Sequence, residues 1–210
     1  SVMNNLALLY QDKGLYEKAE NMLLKVLDIY EKTYGKNHIK TSVTLNNLAF
    51  LYRDQGIYKK AEPLFLRAIS IDEKILGSEH ISLANTLNNL AILYHDQGLY
   101  NKAETLYLKT LSIREKALGP EHPDMASIFN NLALLYNDLN LNTKAESLYL
   151  KALSIREKVL GPEHRDTAIT LGSLGLLYTS QGSYSKAEPL YIRALNITEK
   201  IFGPEHRDTA

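Results

Sequence analysis

Apolar residues along the chain follow a helical spacing that is interrupted by glycines. The clearest segment has apolar residues at positions i, i+3, i+4 and i+7, namely Leu45, Leu48, Ala49 and Tyr52. This spacing puts them on one face of an amphipathic helix, here called helix A. Gly56 follows soon after, and glycine suits the left-handed residue that closes the last turn of a helix. Helix A is therefore predicted to end at this glycine.

A second apolar pattern follows this glycine and predicts a second helix, here called helix B. Its expected core residues are Tyr58, Ala61, Phe65, Ala68, Ile69 and Ile71. Gly77 is predicted to end helix B, and a short connector leads to the next helix A. In a later connector, GPEHPD, the prolines oppose continuation of the helix and Asp124 is expected to cap the next helix.

The pattern of two helices recurs every 42 residues, so the chain consists of five copies. The segment NNLA begins at Asn4, Asn46, Asn88 and Asn130, and the fifth copy has GSLG from Gly172. A KAE motif recurs in helix B with the same period. The predicted copies span about 1–39, 40–81, 82–123, 124–165 and 166–207. Because the register never slips, we expect a single array without an internal domain boundary. The chain begins inside the pattern and ends on the opening of a sixth copy, GPEHRDTA, so we expect a fragment of a longer array.

Composition narrows the class of protein without selecting a ligand. The 210 residues are 45% hydrophobic and carry 24 basic and 24 acidic side chains, which disfavours the phosphate-driven binding of nucleic-acid proteins. There is no cysteine, which excludes disulfides and thiolate chemistry and permits a reducing compartment. No uninterrupted apolar run approaches the roughly 18 residues of a membrane helix. We therefore expect a cytoplasmic protein with no membrane partner.

The residues Ala49, Gly56, Tyr58, Ala61, Phe65 and Ala68 have the spacing of the tetratricopeptide repeat. The 42-residue period, the LNNLA start and the segment IREKALGPEHPD resemble the kinesin light chain variety of this repeat. The resemblance implies an all-α fold, a right-handed α-solenoid of antiparallel helix pairs with helices A on the concave side. It also implies that the first asparagine of each pair contacts a cargo peptide, which nominates Asn4, Asn46, Asn88 and Asn130.

Helical geometry places the two asparagines of each pair on different sides of helix A. Placed at 100° per residue around helix A, Asn46 lies outside the apolar arc and shares a face with Val43, Phe50 and Arg53. Asn47 lies at the opposite border of that arc. We therefore interpret the first asparagine as a groove residue, whose amide could pair with a peptide main chain, and the second as structural. The alternative is that both asparagines only join adjacent repeats.

One position is apolar in every copy although it points away from the helix pair: Leu8, Phe50, Ile92, Leu134 and Leu176. An apolar strip beside amides is typical of a binding groove. The alternative is packing against the next helix A. Arg53 and His95 stand beside the strip and could hold a ligand carboxylate, but an aspartate follows each of them. A mixed apolar peptide is therefore better supported than an acidic one.

Several kinds of chemistry are disfavoured. The connector histidines, His38, His80, His122, His164 and His206, belong to repeats whose helices pack about 8–10 Å apart, too far for one metal ion at about 2 Å from each nitrogen. We expect them to cap or pack the connectors. GSLG lacks the preceding strand and further glycines of a phosphate loop, and no HExxH or Ser/His/Asp constellation is present. We therefore expect no enzyme activity, cofactor or metal.

The last two copies depart from the pattern. Asn140 replaces the turn glycine and Asn142 the tyrosine, which predicts a looser turn in the fourth copy. Gly172 and Gly175 lie inside the fifth helix A, where glycine costs about 0.5–1 kcal/mol relative to alanine.

The leading functional hypothesis is a non-catalytic scaffold that binds an extended peptide of a partner protein in the groove of the first four repeats. The alternatives are the regulatory or sensor arm of a larger signalling ATPase or transferase, and a structural spacer. Because polar capping repeats normally cover the ends of such arrays, we also expect weak end-to-end self-association.

Overall fold

The computed structural model describes residues 2–203, which form ten α-helices and no strand. The helices are α1 (Val2–Asp12), α2 (Tyr16–Tyr34), α3 (Ile39–Asp54), α4 (Tyr58–Leu76), α5 (Ile81–Asp96), α6 (Tyr100–Leu118), α7 (Pro123–Asp138), α8 (Asn142–Val159), α9 (Arg165–Ser180) and α10 (Tyr184–Phe202). Odd-numbered helices are the predicted helices A, and even-numbered helices are the predicted helices B. His206 and the opening of the sixth copy after Gly203 lie outside the described residues.

The chain divides into two compact units, residues 1–113 (unit 1) and residues 114–210 (unit 2). In unit 1, α1 to α5 pack in succession, and α3 also contacts both α1 and α5. In unit 2, α7 to α10 pack in succession, and α7 also contacts α9. Within each unit a helix A therefore packs on the helix B that follows it, and that helix B packs on the next helix A.

The predicted apolar faces form the core. In α3, Leu45 is 0% exposed and Leu48 is 2% exposed, and in α4 Phe65 is 0% exposed. In unit 2 the corresponding cluster joins Tyr149 of α8 to Leu177 of α9. The alanine of the KAE motif is buried in every copy, because a small side chain lets the two helices of a pair approach closely.

The turn between helices A and B has the same backbone form in the second and fourth copies. Gly56 has φ 71° and Asn140 has φ 58°, and the following residues, Ile57 and Leu141, donate backbone hydrogen bonds of 2.8 Å to Tyr52 and Tyr136 respectively. The looser turn that we expected in the fourth copy is therefore not seen. Asparagine tolerates the left-handed region better than other residues that carry a Cβ.

Replacing Asn140 with alanine should lower the free energy of unfolding by about 1 kcal/mol, because a left-handed φ is strained for alanine. Replacing it with glycine should leave stability unchanged or slightly higher. Urea denaturation measures both effects, with Thr143→Ala on the exposed face of α8 as the control. Equal stability of the alanine and glycine variants would contradict this account of the turn.

The connector histidines cap the helices that follow them, as expected. The Nδ1 atom of His38 accepts from the backbone N–H of Lys40 at 3.2 Å, and the corresponding distances for His80, His122 and His164 are 3.1, 3.2 and 3.1 Å. The prediction that Asp124 caps α7 was wrong, because His122 is the cap and Asp124 lies in the first turn. There its carboxylate faces the positive end of the helix dipole.

The KAE motif joins neighbouring repeats through the tyrosine near the end of helix A. The hydroxyl of Tyr52 donates to Glu20 of the preceding repeat at 2.5 Å, and Tyr94 donates to Glu62 at 2.8 Å. Burial and, to a smaller extent, the hydrogen bond to Glu62 together raise the pKa of Tyr94 to about 12. The lysine of each repeat's own motif lies over the same ring, as Lys60 does over Tyr52 at 4.8 Å.

Helix α9 runs through both of its glycines without interruption. A Cβ built at Gly175 would lie 2.9 Å from the ring of Tyr191, whereas nothing lies within 4 Å of a Cβ at Gly172. Gly175 therefore leaves room for the ring of Tyr191 on α10. Nothing in the structure explains Gly172.

Candidate functional site

The three helices A of unit 1 lie side by side and present the predicted binding residues. We call this surface the helix-A surface; its residues are Asn4, Leu8, Val43, Asn46, Phe50, Arg53, Asn88, Ile92 and His95. Hydrogen bonds connect the helices directly, since the Asn4 side chain donates to Thr44 at 3.5 Å and Asn89 donates to Asn46 at 3.1 Å. The helices thereby hold their side chains at a fixed offset of about one repeat.

The apolar strip lies at the surface of the molecule. Leu8 is 36% exposed, and Phe50 and Ile92 are half-buried. In unit 2 the same position is 37% exposed at Leu134 and 54% exposed at Leu176. These side chains differ from the core residues of the same helices, which are almost completely buried. The strip is therefore accessible to a ligand.

The asparagine pair does not divide into a groove residue and a structural residue as cleanly as the sequence suggested. The second asparagine of the third repeat, Asn89, donates from Nδ2 to Oδ1 of Asn46, the first asparagine of the second repeat. Asn46 thus helps to join two repeats, which was the alternative interpretation. It is half-buried, and its own Nδ2 donates no hydrogen bond to any residue between 2 and 203.

The other first asparagines differ in exposure. Asn4 is 4% exposed, so most of its side chain is out of reach of a ligand, whereas Asn88 and Asn130 are half-buried. Within the described part of the chain, the side-chain oxygen Oδ1 of Asn130 is buried without a hydrogen-bond partner. The fifth copy has Ser173 where an asparagine would pair with it, and that hydroxyl donates to its own helix at Ile169. The hydrogen bond that joins Asn89 to Asn46 therefore has no counterpart between Ser173 and Asn130.

The two predicted carboxylate-binding residues already have partners. Nε of Arg53 donates to Asp96 at 2.8 Å, and its guanidinium lies 5.3 Å from the ring centre of Phe50. The ring of His95 lies 5.7 Å from that of Tyr100. Because a carboxylate of the next repeat neutralises Arg53, a ligand carboxylate would have to compete with Asp96.

Sequence reasoning missed a pocket at the edge of the helix-A surface. It has a volume of about 410 Å³ and is lined by Asn4, Tyr30, Ile39, Lys40 and Val43. The ammonium of Lys40 donates to the Tyr34 hydroxyl at 3.0 Å and lies 4.3 Å from that ring centre. The hydrogen bond to Tyr34 raises the pKa of Lys40, although partial desolvation opposes this. Lys40 has no carboxylate within 4.0 Å among residues 2–203, so this pocket could take an apolar group beside an anion.

A sequence signal for this pocket exists. Tyr30 and Tyr34 occur only in the first copy, where the second copy has Asp72 and Leu76. A residue that differs from those at the same position in the other copies is not required for the packing that all copies share. It does not show that two tyrosines and a lysine from different helices meet.

Other chemistry finds no support in the described residues. No group of three or more histidine, aspartate or glutamate side chains there could hold a metal ion. No helix between residues 2 and 203 is long and apolar enough to cross a membrane.

Comparison with known families gives a match along most of the chain. A family model described as tetratricopeptide repeat matches residues 1–74, 41–116, 82–157 and 124–200. Comparison with curated proteins gives no match.

Solved structures with kinesin light chain descriptions are similar over nearly the whole chain. BtubC (BKLC) from P. vanneervenii is 27% identical, with a TM-score of 0.80 over 99% of this chain and 84% of that one. A Podosopora anserina protein assigned as a kinesin light chain, with nearly identical TPR-like repeats, is 27% identical, with a TM-score of 0.76 over 96% of this chain and 95% of that one.

A Rap protein complexed with Competence and Sporulation Factor has a TM-score of 0.80 at 16% identity, over 94% of this chain and 53% of that one. At this identity the likeness concerns the fold alone. The three structures together confirm the predicted fold class, an all-α α-solenoid of helix pairs. The first two confirm the resemblance to kinesin light chain repeats.

Proposed function

We propose that this chain, which belongs to the tetratricopeptide repeat family, binds an extended peptide segment of a partner protein on its helix-A surface. Repeats of this family typically form scaffolds for protein–protein interaction. The observation that carries the proposal is the partly exposed apolar strip of Leu8, Phe50 and Ile92. A position that is apolar in every repeat but lies outside the core is typical of a surface that contacts a partner.

The asparagines beside the strip support a peptide ligand in particular. Asn46 uses its oxygen to accept from Asn89, which leaves its Nδ2 group available. An amide donor at this place can pair with a main-chain carbonyl of an extended segment whatever that segment's side chains are. Affinity would then come from the main chain, and selectivity from apolar side chains seated on the strip.

The charges on this surface favour a ligand that is mostly apolar at its centre. Arg53 is compensated by Asp96, and Gln11 donates to Asp54 at 2.5 Å in the same row. A ligand carboxylate would gain little there, because the cation already has a partner and the pair lies at the surface. In unit 2, Asn130 and Leu134 remain part of the predicted surface. We further propose that the scaffold is non-catalytic and works in the cytoplasm, which the absence of cysteine and the scaffold role of related repeats support.

Peptides selected from a random library against the 210-residue chain provide the test. For a selected peptide, Ile92→Asp should weaken binding at least about tenfold, which corresponds to about 1.4 kcal/mol, because the change puts a charge on the apolar strip. Asn46→Ala should weaken binding by a smaller factor, since it removes one donor. Fluorescence anisotropy measures the Kd of each variant.

The matched control is Leu108→Asp. Leu108 lies on α6 and is 46% exposed, but it is not part of the helix-A surface. It should leave the Kd unchanged. If Leu108→Asp abolished binding while Ile92→Asp had no effect, the ligand would lie on helices B and the proposal would be wrong.

A further inference from the structure

The spacing of the apolar strip is a property of the helix-A surface that a ligand has to match. Phe50 and Ile92 occupy the same position in successive repeats, 42 residues apart, on helices α3 and α5, which contact each other. Packed helices lie about 8–10 Å apart. Phe50 has a neighbouring helix A on both sides, α1 and α5, and it is still only half-buried. Its exposure is therefore that of a repeat within the array.

The asparagine beside this strip can donate a hydrogen bond to a ligand more readily than it can accept one. Oδ1 of Asn46 accepts from Nδ2 of Asn89 at 3.1 Å, whereas Nδ2 of Asn46 donates to no residue between 2 and 203. Asn46 precedes Phe50 by four residues, which corresponds to about 6 Å along α3. A main chain that lies between these two side chains meets an N–H donor on one side and an apolar ring on the other.

The charged side chains near this place are paired with one another. Nε of Arg53 donates to Asp96 at 2.8 Å, and the guanidinium lies 5.3 Å from the ring centre of Phe50. In the same row Gln11 donates to Asp54 at 2.5 Å. A surface charge that already has a partner offers little net attraction to a further charge. The surface around Phe50 therefore complements an uncharged segment.

Regular peptide conformations differ in the distance at which side chains recur on one face. In a β-strand the same face recurs at about 7 Å and again at about 13 Å, and neither distance matches neighbouring helices. A polyproline II segment has three residues per turn and rises about 3.1 Å per residue, so every third side chain returns to one face after about 9 Å. An α-helix returns to the same face after seven residues, at about 10.5 Å. Spacing alone therefore favours a polyproline II segment or an α-helix.

Hydrogen bonding distinguishes these two conformations. The carbonyl oxygens inside an α-helix accept from the N–H groups of the same helix, so a helical ligand would leave Nδ2 of Asn46 without a partner. A polyproline II segment makes no internal hydrogen bonds, so its carbonyls can accept from the protein. Proline has no N–H, so a proline-containing main chain needs donors from its partner and few acceptors. The arrangement of Asn46 and Asn89 provides this.

We propose that the helix-A surface binds an uncharged, proline-containing segment in the polyproline II conformation, with an apolar residue at every third position. This inference rests on the proposed function and names the class of its ligand. Successive apolar side chains contact Phe50 and Ile92, and a carbonyl between them accepts from Nδ2 of Asn46. Prolines at the intervening positions hold this conformation in the free peptide and so reduce the entropy lost on binding.

Three peptide libraries of equal length, each screened against the 210-residue chain, test the spacing. The first has apolar residues at every third position with prolines between them, the second has them at every second position without proline, and the third at every seventh position in a helix-forming background. The best peptides of the first library should have a Kd at least about tenfold lower than those of the other two. Moving one apolar residue of a selected peptide by a single position should weaken its binding by a similar factor.

Chemical changes in a selected peptide test the hydrogen bond without changing the protein. An ester in place of a backbone amide weakens the carbonyl as an acceptor, and a scan at non-proline residues should find one position where it weakens binding a few-fold. N-methylation at that position removes the N–H but keeps the carbonyl, and should leave the Kd nearly unchanged. The ester should have no effect on binding to Asn46→Ala, because the donor is then absent.

Fluorescence anisotropy gives each Kd, and two protein variants show whether a peptide lies on the helix-A surface. Ile92→Asp, and more mildly Phe50→Ala, should weaken binding, whereas Leu108→Asp on α6 should not. A peptide that meets these criteria but has its apolar residues at every second or every seventh position would overturn this inference and leave the proposed function standing. An ester effect that persists in Asn46→Ala would do the same. Binding that neither Ile92→Asp nor Phe50→Ala weakens, or no binding from any library, would overturn both.

Discussion

Replacing Arg156 with alanine is expected to lower the free energy of unfolding by about 2–4 kcal/mol. The side chain is 6% exposed and extends from α8 to the start of α9. There its Nη1 donates to the backbone carbonyl of Asp166 at 2.9 Å and to the hydroxyl of Thr170. Burial lowers the pKa of this guanidinium, and the charge of Asp166 opposes that shift. Truncation would remove both hydrogen bonds and leave a cavity between two repeats.

The matched control is Arg193→Ala. Arg193 pairs with Glu157 at 2.6 Å but its side chain is 41% exposed, and exposed pairs contribute at most about 1 kcal/mol. Urea denaturation followed by circular dichroism measures both variants. Arg156→Met, which keeps the aliphatic part of the side chain, should fall between them. If both alanine variants lost the same stability, the buried guanidinium would not be what joins α8 to α9.

Replacing Asp72 with asparagine is expected to raise the free energy of unfolding at pH 7 by about 1–3 kcal/mol. Asp72 takes the position of Arg156 in the second copy and is 2% exposed, and its Oδ1 has no partner among residues 2–203. Burial raises the pKa of this carboxyl, while hydrogen bonds from Ser42 and Thr86 and the charge of His80 lower it. Asparagine keeps the shape of the side chain and removes the buried charge.

The pH dependence distinguishes this account from a simple packing effect. Because the pKa of Asp72 is higher in the native state than in the unfolded state, the native state binds the proton more tightly. The wild-type chain should therefore lose stability as the pH rises through that raised pKa. The advantage of Asp72→Asn should disappear at a pH below the ordinary range of aspartate. Asp28→Asn is the control, since Asp28 is exposed in a pair with Lys32; an advantage of Asp72→Asn that did not depend on pH would rule out the buried charge as its cause.

The features predicted well from the sequence depend on residues close together along the chain. The apolar face of Leu45 and Leu48, the stop at Gly56 and the histidine caps each follow from a spacing of a few residues. The prediction that Phe50 lies off the core also came from helical geometry alone. One local prediction, Asp124 as a cap, was wrong because His122, two residues earlier, supplies the acceptor instead.

The features that were missed depend on residues about one repeat apart. The bonds from Asn89 to Asn46, from Arg53 to Asp96 and from Tyr52 to Glu20 span 43, 43 and 32 positions. The sequence contains both partners of each bond, but its composition and periodicity do not give the offset at which one helix lies against the next. This is why Asn46 was assigned to the groove alone and Arg53 to a ligand.

By itself, the sequence determined the number of helices in each repeat, their ends, and which face of each is apolar, because side-chain direction along a helix follows from its period of 3.6 residues. Only the tertiary structure decided which polar groups satisfy one another and which remain for a partner. Packing between helices sets the offset at which side chains of neighbouring repeats meet. At this offset, within unit 1, Arg53 pairs with Asp96 and the side-chain oxygen of Asn46 accepts from Asn89. The apolar strip, the Nδ2 group of Asn46 and the pocket beside Lys40 remain at the surface.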